Sequence, residues 1–335
     1  MKITQYLFRN CLIPVIHYSG LLRFLMSWSK PKFLILNYHG VVNNLQPKIS
    51  RNHLSTIQFA KHLKYFKKHF DVLPLQTLIQ NYQSGSRPLK PTIAITFDDG
   101  YENNYKNAFP LLKEFQFPAT IFVTAQALIN NEQPLWYDAL DICREDLNWT
   151  KLIGSTEIQK LNLGTQFSFD AFKNRIKHFD SNTKKEIFKI LLPEITIETY
   201  KSKTDQEYWK LLNETQILEM VESGLIEIGS HGISHTNMDV LETTALNTEL
   251  LESKKILGSA AGTPIESIAF PDGAYNDKVK LESKQIDYKY LLAVNYRCLS
   301  DTDDQTIFQR FSISNTTTYE SIMLQIHWGF KKIGF

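Results

Sequence analysis

The chain of 335 residues is 43% hydrophobic and 21% charged, an ordinary globular composition with room for one large α/β domain or two smaller ones. Its three cysteines form no Cys-x-x-Cys pair, so neither a disulfide framework nor a cysteine zinc site is indicated. The first 70 residues carry eleven Lys and Arg and no Asp or Glu, whereas the remainder carries 26 basic and 35 acidic groups, a net charge of −9. This asymmetry predicts an anionic partner for the amino-terminal part, and the lack of a nucleic-acid-binding motif beside it argues against nucleic acid.

Residues 1–31 form a basic amphipathic extension in which Arg9, His17 and Arg23 interrupt many large apolar side chains. The uninterrupted apolar run is too short to span a bilayer, and no small-residue cleavage site follows it, which makes a secretory signal peptide a poor match. We expect the extension either to lie in a membrane interface, in peripheral contact with anionic lipid, or to form a pair of helices packed on the main domain. The poor signal-peptide match predicts a cytoplasmic protein, peripheral to the inner face of the membrane.

Residues 32–335 are predicted to form one α/β domain in which apolar runs alternate with amphipathic segments. Strands are predicted at 32–40, 71–75, 92–97 and 119–124, from 225 and from 267 onward, and at 290–294 and 308–313; helices are predicted at 55–70, 75–82, 105–115, 215–223, 241–257 and 319–330. Ser55 is the expected N-cap of the first of these helices. Strand, helix and strand in this order indicate parallel βαβ units.

Residues 130–215 interrupt this alternation, because nothing in them resembles a buried strand. We interpret them as a helical insertion that forms a lid or a substrate wall. Trp136 and Tyr137 begin this segment and could stack on a sugar ring, although an aromatic pair of this kind also suits a core or an interface.

Polar clusters follow three of the predicted strands. Asp98 and Asp99 end the strand at 92–97, where two adjacent carboxylates repel each other unless a metal ion or a proton relieves them. The alternative is a simple polar turn at Gly100. His231 and His235 follow the strand that begins at 225; in a helical turn, a spacing of four would put both imidazoles on one face, as two metal ligands require. His39 ends the strand at 32–40.

These motifs resemble a known family. Thr96-Phe-Asp-Asp-Gly100 and His231-Gly-Ile-Ser-His235 are similar to the first two signature motifs of the polysaccharide deacetylases, the NodB-homology family or carbohydrate esterase family 4. Ala269-Phe-Pro-Asp-Gly-Ala-Tyr275 is similar to the third motif. The resemblance covers roughly residues 32–315 apart from the insertion, and it is closest in pattern to the poly-N-acetylglucosamine deacetylase branch. It implies a distorted (β/α)₇ barrel with its site at the carboxyl ends of the strands.

The resemblance also implies roles for individual residues. Asp99, His231 and His235 would bind one divalent metal ion, with Zn²⁺ favoured over Co²⁺ and Ni²⁺, and Asp98 would be the general base. A backbone N–H near Asp272 would help to hold the oxyanion. The residues expected to contact substrate are Tyr101, Trp136, Pro271, Asp272 and Arg310.

Two features of the family pattern leave alternatives open. The general acid is expected to be His39, which resembles an early Tyr-His of the poly-N-acetylglucosamine branch; His327, in Met323-Leu-Gln-Ile-His327, resembles a late histidine motif of other members and is the alternative. The third motif has Phe270 where many members place an arginine, which raises the question of what orients Asp98. Arg310 is the candidate.

The function predicted from these residues is metal-dependent removal of N-acetyl groups from an amino sugar of a cell-surface polysaccharide, a lipid-linked precursor or a glycolipid. Its partners would be an N-acetylated glycan or lipid-linked sugar and, through residues 1–31, an anionic membrane. One alternative is hydrolysis of a non-sugar amide on the same barrel. Another is a non-catalytic glycan-binding protein, which would not need the carboxylates and histidines together.

Overall fold

The computed structural model describes residues 32–46, 49, 52–147, 168–192, 195–315 and 319–332, without the side chains of 327–332. The amino-terminal extension predicted at 1–31 lies outside these residues. Within the described ranges, every helix is too short or too polar to cross a bilayer.

A curved parallel sheet forms the centre of the protein. In chain order the strands are β1 (Phe33–Tyr38), β2 (Val41–Val42), β3 (Leu54–Ser55), β4 (Asp71–Val72), β5 (Thr92–Phe97), β6 (Ala119–Val123), β7 (Ile226–Ser230), β8 (Ser267–Ala269), β9 (Tyr290–Ala293), β10 (Ile307–Gln309) and β11 (Phe311–Ser312). The sheet runs β1, β5, β6, β7, β8, β9 and β10, with all neighbours parallel and with β11 on the free side of β1. The strands β1 and β5 are buried along their whole length, as expected of apolar parallel strands.

One short segment closes this sheet into a barrel. Strand β10 pairs with β9, and β11, which begins two residues after β10 ends, pairs with β1. Arg310 is the residue between them, and its N–H donates to the carbonyl of Ala293 at 3.0 Å. If this bent segment is counted as one barrel strand, the described chain has seven barrel strands, which confirms the predicted distorted (β/α)₇ barrel. The single strand predicted at 308–313 is thus two strands, because its halves pair with opposite ends of the sheet.

Helices surround the barrel. In chain order they are α1 (Thr56–His69), α2 (Leu75–Gln83), α3 (Phe109–Phe115), α4 (Gln126–Ile129), α5 (Trp136–Ile142), α6 (Phe169–Ile176), α7 (Ser181–Leu191), α8 (Ile197–Lys203), α9 (Glu214–Glu222), α10 (Thr243–Ala261), α11 (Asp277–Gln285) and α12 (Tyr319–Lys332). Ser55 caps α1 as predicted, in a capping box with Gln58. The helix predicted at 105–115 begins instead as a π-helical turn, Asn104–Ala108, next to Pro110, whose ring nitrogen has no N–H to continue a regular α-helical pattern.

The segment predicted as a helical insertion contains α5 to α8, and no strand occurs in its described part. Its helices share a small hydrophobic core of their own, which includes Leu140, Phe172, Ile187 and Leu191. This separate core holds the insertion as a packed unit, so that it can serve as a wall beside the barrel.

Candidate active site

A cavity of about 300 Å³ opens at the carboxyl ends of the barrel strands. Eight of the residues selected from the sequence line it, namely His39, Asp98, Asp99, Trp136, Tyr137, His231, His235 and Asp272. They come from the ends of β1, β5, β7 and β8 and from the start of α5. Parallel strands of a barrel all end at the same face, which is why residues far apart in the chain meet here.

Asp98 is a buried carboxylate that is hydrogen-bonded by a buried arginine. Arg310 is 1% exposed and donates to both carboxylate oxygens, Nη1 to Oδ1 at 2.6 Å and Nη2 to Oδ2 at 2.8 Å, while Asn37 donates to Oδ2 at 3.0 Å. Burial alone would raise the pKa of Asp98, but the Arg310 guanidinium, assisted by His231, lowers it below its ordinary value. The carboxylate is therefore fixed in orientation and kept ionised.

Asp99, His231 and His235 form a compact buried cluster. Oδ1 of Asp99 lies 3.5 Å from Nε2 of His231 and 3.3 Å from Nε2 of His235, and one ligand atom from each residue lies within 4.8 Å of the others. Burial opposes ionisation of Asp99, yet the two imidazoles hold its pKa well below the usual range. Burial would likewise lower the pKa of His231, but the carboxylates of Asp98 and Asp99 outweigh it and raise that pKa.

The chemistry of this cluster fits a metal ion. Nδ1 of His231 lies 2.7 Å from the carbonyl oxygen of Ala269, so in the neutral ring Nδ1 carries the proton and Nε2 is left as an electron-pair donor. No hydrogen bond within the described chain reaches Oδ1 of Asp99. Two imidazole nitrogens and a carboxylate oxygen facing one another are a standard ligand set for Zn²⁺ and similar divalent ions.

The loop that carries the two histidines is not the helical turn expected from their spacing. Gly232 has φ +74° and His235 φ +51°, left-handed values that an α-helix does not contain. The loop is held instead by the buried carboxylate of Glu249 on α10, which accepts hydrogen bonds from the N–H of Ile233 at 2.6 Å, the N–H of Ser234 at 3.3 Å and the Ser234 hydroxyl at 2.7 Å. The imidazoles meet because the loop folds around Glu249.

Backbone strain is concentrated at the cavity. Five non-glycine residues of the described chain have positive φ, and three of them, Asp99 (φ 78°), His235 (φ 51°) and Asp272 (φ 54°), line the cavity. Such conformations cost free energy and persist where the surrounding structure enforces them, which is common at functional sites. Each aims a polar side chain that a regular strand or helix would direct elsewhere.

The insertion supplies one wall of the cavity. Trp136 donates its Nε1–H to the carbonyl of His235 at 3.0 Å, and the Tyr137 ring lies 4.7 Å from the His235 ring, centroid to centroid. Lys177, at the end of α6, pairs with Asp272 at 3.0 Å. The wall therefore contacts two of the loops that carry site residues, so it positions them as well as bounding the cavity.

Three residues expected to contact substrate lie behind the cavity wall instead. Tyr101 is 1% exposed, and its hydroxyl lies 2.9 Å from both the Tyr137 hydroxyl and an oxygen of Asp138. Pro271 is buried, and Arg310 is covered by Asp98. None of the three is among the residues that line the cavity, so their direct contact with substrate stays a prediction from the sequence.

The two candidates for the general acid are placed differently. His39 is partly exposed and lines the cavity, and its Nδ1 has no hydrogen-bond partner among the described residues. Residue 327 belongs to α12, but the side chain of His327 lies outside the described part.

Asn37, Glu249 and Lys177 are site residues that the sequence reasoning missed. Asn37 lies in β1, two residues before His39, so its position in a strand-end motif was an available signal. Glu249 lies in α10 and Lys177 directly follows α6; both helices have ordinary amphipathic patterns, and no local feature distinguishes the two residues.

The comparisons with known proteins agree with this geometry. A family model described as polysaccharide deacetylase matches residues 85–152 and 181–291, together more than half of the chain. The poly-beta-1,6-N-acetyl-D-glucosamine N-deacetylase of Staphylococcus aureus strain MSSA476 is 22% identical over 268 residues, which cover 76% of this chain and 84% of that protein.

Solved structures show the same fold. The Streptococcus pyogenes deacetylase PplD, in complex with acetate, superposes with a TM-score of 0.58 at 17% identity, covering 88% of this chain and 98% of that one. IcaB from Ammonifex degensii superposes with a TM-score of 0.54 at 16% identity, covering 89% and 96%. With the matched residues spanning both the Asp-Asp and the His-x-x-x-His motifs of the cavity, the chain belongs to the polysaccharide deacetylase family.

Proposed function

We propose that this protein is a metal-dependent hydrolase that removes N-acetyl groups from an amino sugar of a cell-surface polysaccharide, a lipid-linked precursor or a glycolipid. The observation that carries the proposal is one cavity that holds a buried Asp-His-His cluster beside an ionised, arginine-held carboxylate. A binding protein would need neither. The similarity to a protein named as a poly-N-acetylglucosamine deacetylase supports a glycan rather than a non-sugar amide.

Asp99, His231 and His235 would hold the metal ion. When bound there, a divalent ion supplies Lewis-acid chemistry that polarises a carbonyl group and acidifies water. The contribution of the protein is to keep the carboxylate ionised and the two imidazoles fixed, through Ala269 and Glu249.

Asp98 is the general base in this proposal. It takes a proton from the attacking water, and its two hydrogen bonds from Arg310 hold the accepting oxygens in place. His39, which lines the same cavity, protonates the departing amine nitrogen. The backbone N–H of Asp272 stabilises the developing oxyanion, and Trp136 packs against the sugar.

The proposal is tested by measuring bound metal and acetate release on the same preparations. We expect about one divalent ion per chain in the wild type, by elemental analysis, and acetate release from N-acetylglucosamine oligomers. His231→Ala should lose both metal and turnover, whereas Asp98→Asn should keep metal and lose turnover by a factor of roughly 10² to 10⁴. His178→Ala, at an exposed histidine of the insertion, is the matched control and should retain both.

The contrary outcomes are specific. Undiminished acetate release in Asp98→Asn would rule out the proposed base. Failure of the protein to bind zinc, cobalt or nickel would favour the alternative of a glycan-binding protein. Release of acetate only from non-sugar amides would favour the alternative of a hydrolase of non-sugar amides. Location at the inner face of the membrane stays a prediction from the sequence.

A further inference from the structure

A second cavity, of about 470 Å³, adjoins the first one. Trp136 lines both cavities, and Ser234, next to His235 in the chain, lines the second. The opposite side is formed by α7 of the insertion, through residues that include Lys184 and Phe188. A substrate whose acetamido group occupies the first cavity can therefore extend past Trp136 into the second.

Lys184, which lines this second cavity, is a buried cation. Its side chain is 3% exposed, and Nζ has no hydrogen-bond partner within the described chain. Within the described residues, Nζ lies over the Trp136 ring, whose centroid is 4.6 Å away. An ammonium group has three N–H donors, and a cation–π contact satisfies none of them, so a buried lysine in this state still requires an acceptor.

The charged residues that line the cavity favour a negatively charged acceptor. Lys184, Lys185 and Lys189 all line it, and no Asp or Glu does among the described residues. Lys189 already pairs with Glu186 at the surface, at 2.7 Å, whereas Lys184 faces no such carboxylate within bonding distance. Burial lowers the pKa of Lys184 to about 8, against opposing contributions from Asp272 and Glu249, so the amine remains mostly protonated at pH 7.

We propose that the second cavity binds an oxyanion carried by the sugar substrate, a phosphate ester or a carboxylate, with Lys184 as its principal donor. The inference rests on the proposed function, because the same substrate molecule occupies both cavities. A phosphate ester is what a lipid-linked sugar carries, and a carboxylate is what an acidic glycan carries. Both offer the charged acceptor that the buried ammonium lacks.

Binding is measured first, by isothermal titration of N-acetylglucosamine 1-phosphate, of a disaccharide of N-acetylglucosamine and glucuronic acid, and of neutral diacetylchitobiose. We expect wild-type protein to bind one of the two anionic probes at least roughly tenfold more tightly than the neutral probe, and Lys184→Met to lose that preference. Methionine keeps an unbranched apolar side chain as far as Cε and removes the ammonium group. Lys255→Met, at an exposed lysine paired with Glu252, is the matched control and should keep the preference.

The acetate assay then compares kcat/KM for the preferred anionic substrate with that for the neutral one, and the ratio should fall roughly tenfold in Lys184→Met. A preference for the phosphate probe would indicate a lipid-linked sugar phosphate, and a preference for the glucuronic acid probe would indicate an acidic glycan. Equal binding of anionic and neutral probes by the wild type would overturn the inference without any variant. In that case acetate release from the neutral substrate would leave the proposed function intact, whereas no acetate from any substrate would contradict the proposed function itself.

Discussion

Replacing Arg310 with methionine tests how the barrel controls its buried carboxylate. Arg310 is 1% exposed and makes two charge-assisted hydrogen bonds to Asp98, at 2.6 and 2.8 Å. Its removal leaves Asp98 buried, and among the described residues the Asn37 amide is then the remaining side-chain donor to it. Breaking a buried ion pair by removing one partner costs about 3–5 kcal/mol, because the other charge stays uncompensated. We therefore expect Arg310→Met to lower the free energy of unfolding by about that amount and to reduce turnover.

Urea denaturation of a double-mutant cycle measures this coupling. Asp98→Asn and Arg310→Met should each be strongly destabilising, but the double variant removes both charges and should be less destabilised than the sum of the two, by about 1–3 kcal/mol. Arg297→Met is the matched control, since Arg297 is 41% exposed in its ion pair with Asp239 and such surface pairs contribute about 1 kcal/mol or less. Additive costs in the cycle, or equal costs for the two arginines, would refute the reasoning.

Two further predictions concern the loops of the site. Glu249→Gln places an amide group opposite the N–H donors of the histidine loop and should weaken metal affinity by a factor of about 10 to 100 in a chelator competition. Glu252→Gln, on the same helix at a side chain that is 45% exposed, should leave metal affinity unchanged. Equal metal affinities in the wild type and both variants would exclude a positioning role for Glu249. Gly100 has φ +80°, and a Cβ there would lie 2.8 Å from Cγ1 of Val123, so Gly100→Ala should lower the free energy of unfolding, measured by urea denaturation, by about 2–5 kcal/mol. Gly85 has φ +71° and open space around it, so Gly85→Ala should lower the free energy of unfolding by only about 1–2 kcal/mol. Equal losses in the two variants would exclude the steric contribution at Gly100.

The sequence predicted most of the barrel and the residues at its strand ends. Strands 92–97 and 119–124 were recognisable because continuous apolar runs bounded by turn residues are local signals. The Asp-Asp pair was likewise visible, since carboxylates at the end of such a run require a compensating group. The bend at Arg310 in the last barrel strand was not predictable from the residues of that segment. Its break depends on which strands flank it, and that is set by closure of the whole sheet.

The conformation of the histidine loop was mispredicted for a related reason. A spacing of four satisfies a helical turn, but the loop owes its shape to Glu249, which lies 15 residues beyond Ser234 on another element. Left-handed residues such as Asp99 and His235 go against local backbone preference. Only the tertiary contacts around them stabilise those conformations, and a propensity argument made along the chain has no access to such contacts.

Arg310 links closure of the barrel to the state of the site. It lies 212 residues from Asp98 in sequence, at the point where β10 leaves its pairing with β9 and β11 begins its pairing with β1. Any opening of the sheet between β9 and β1 would move Arg310 away from Asp98 and leave a buried carboxylate without its counter-charge, which favours the protonated form. An ionised Asp98 therefore depends on a closed barrel. The third motif has no arginine, and the segment that closes the sheet supplies one, so the same two hydrogen bonds stabilise the fold and keep the Asp98 carboxylate ionised.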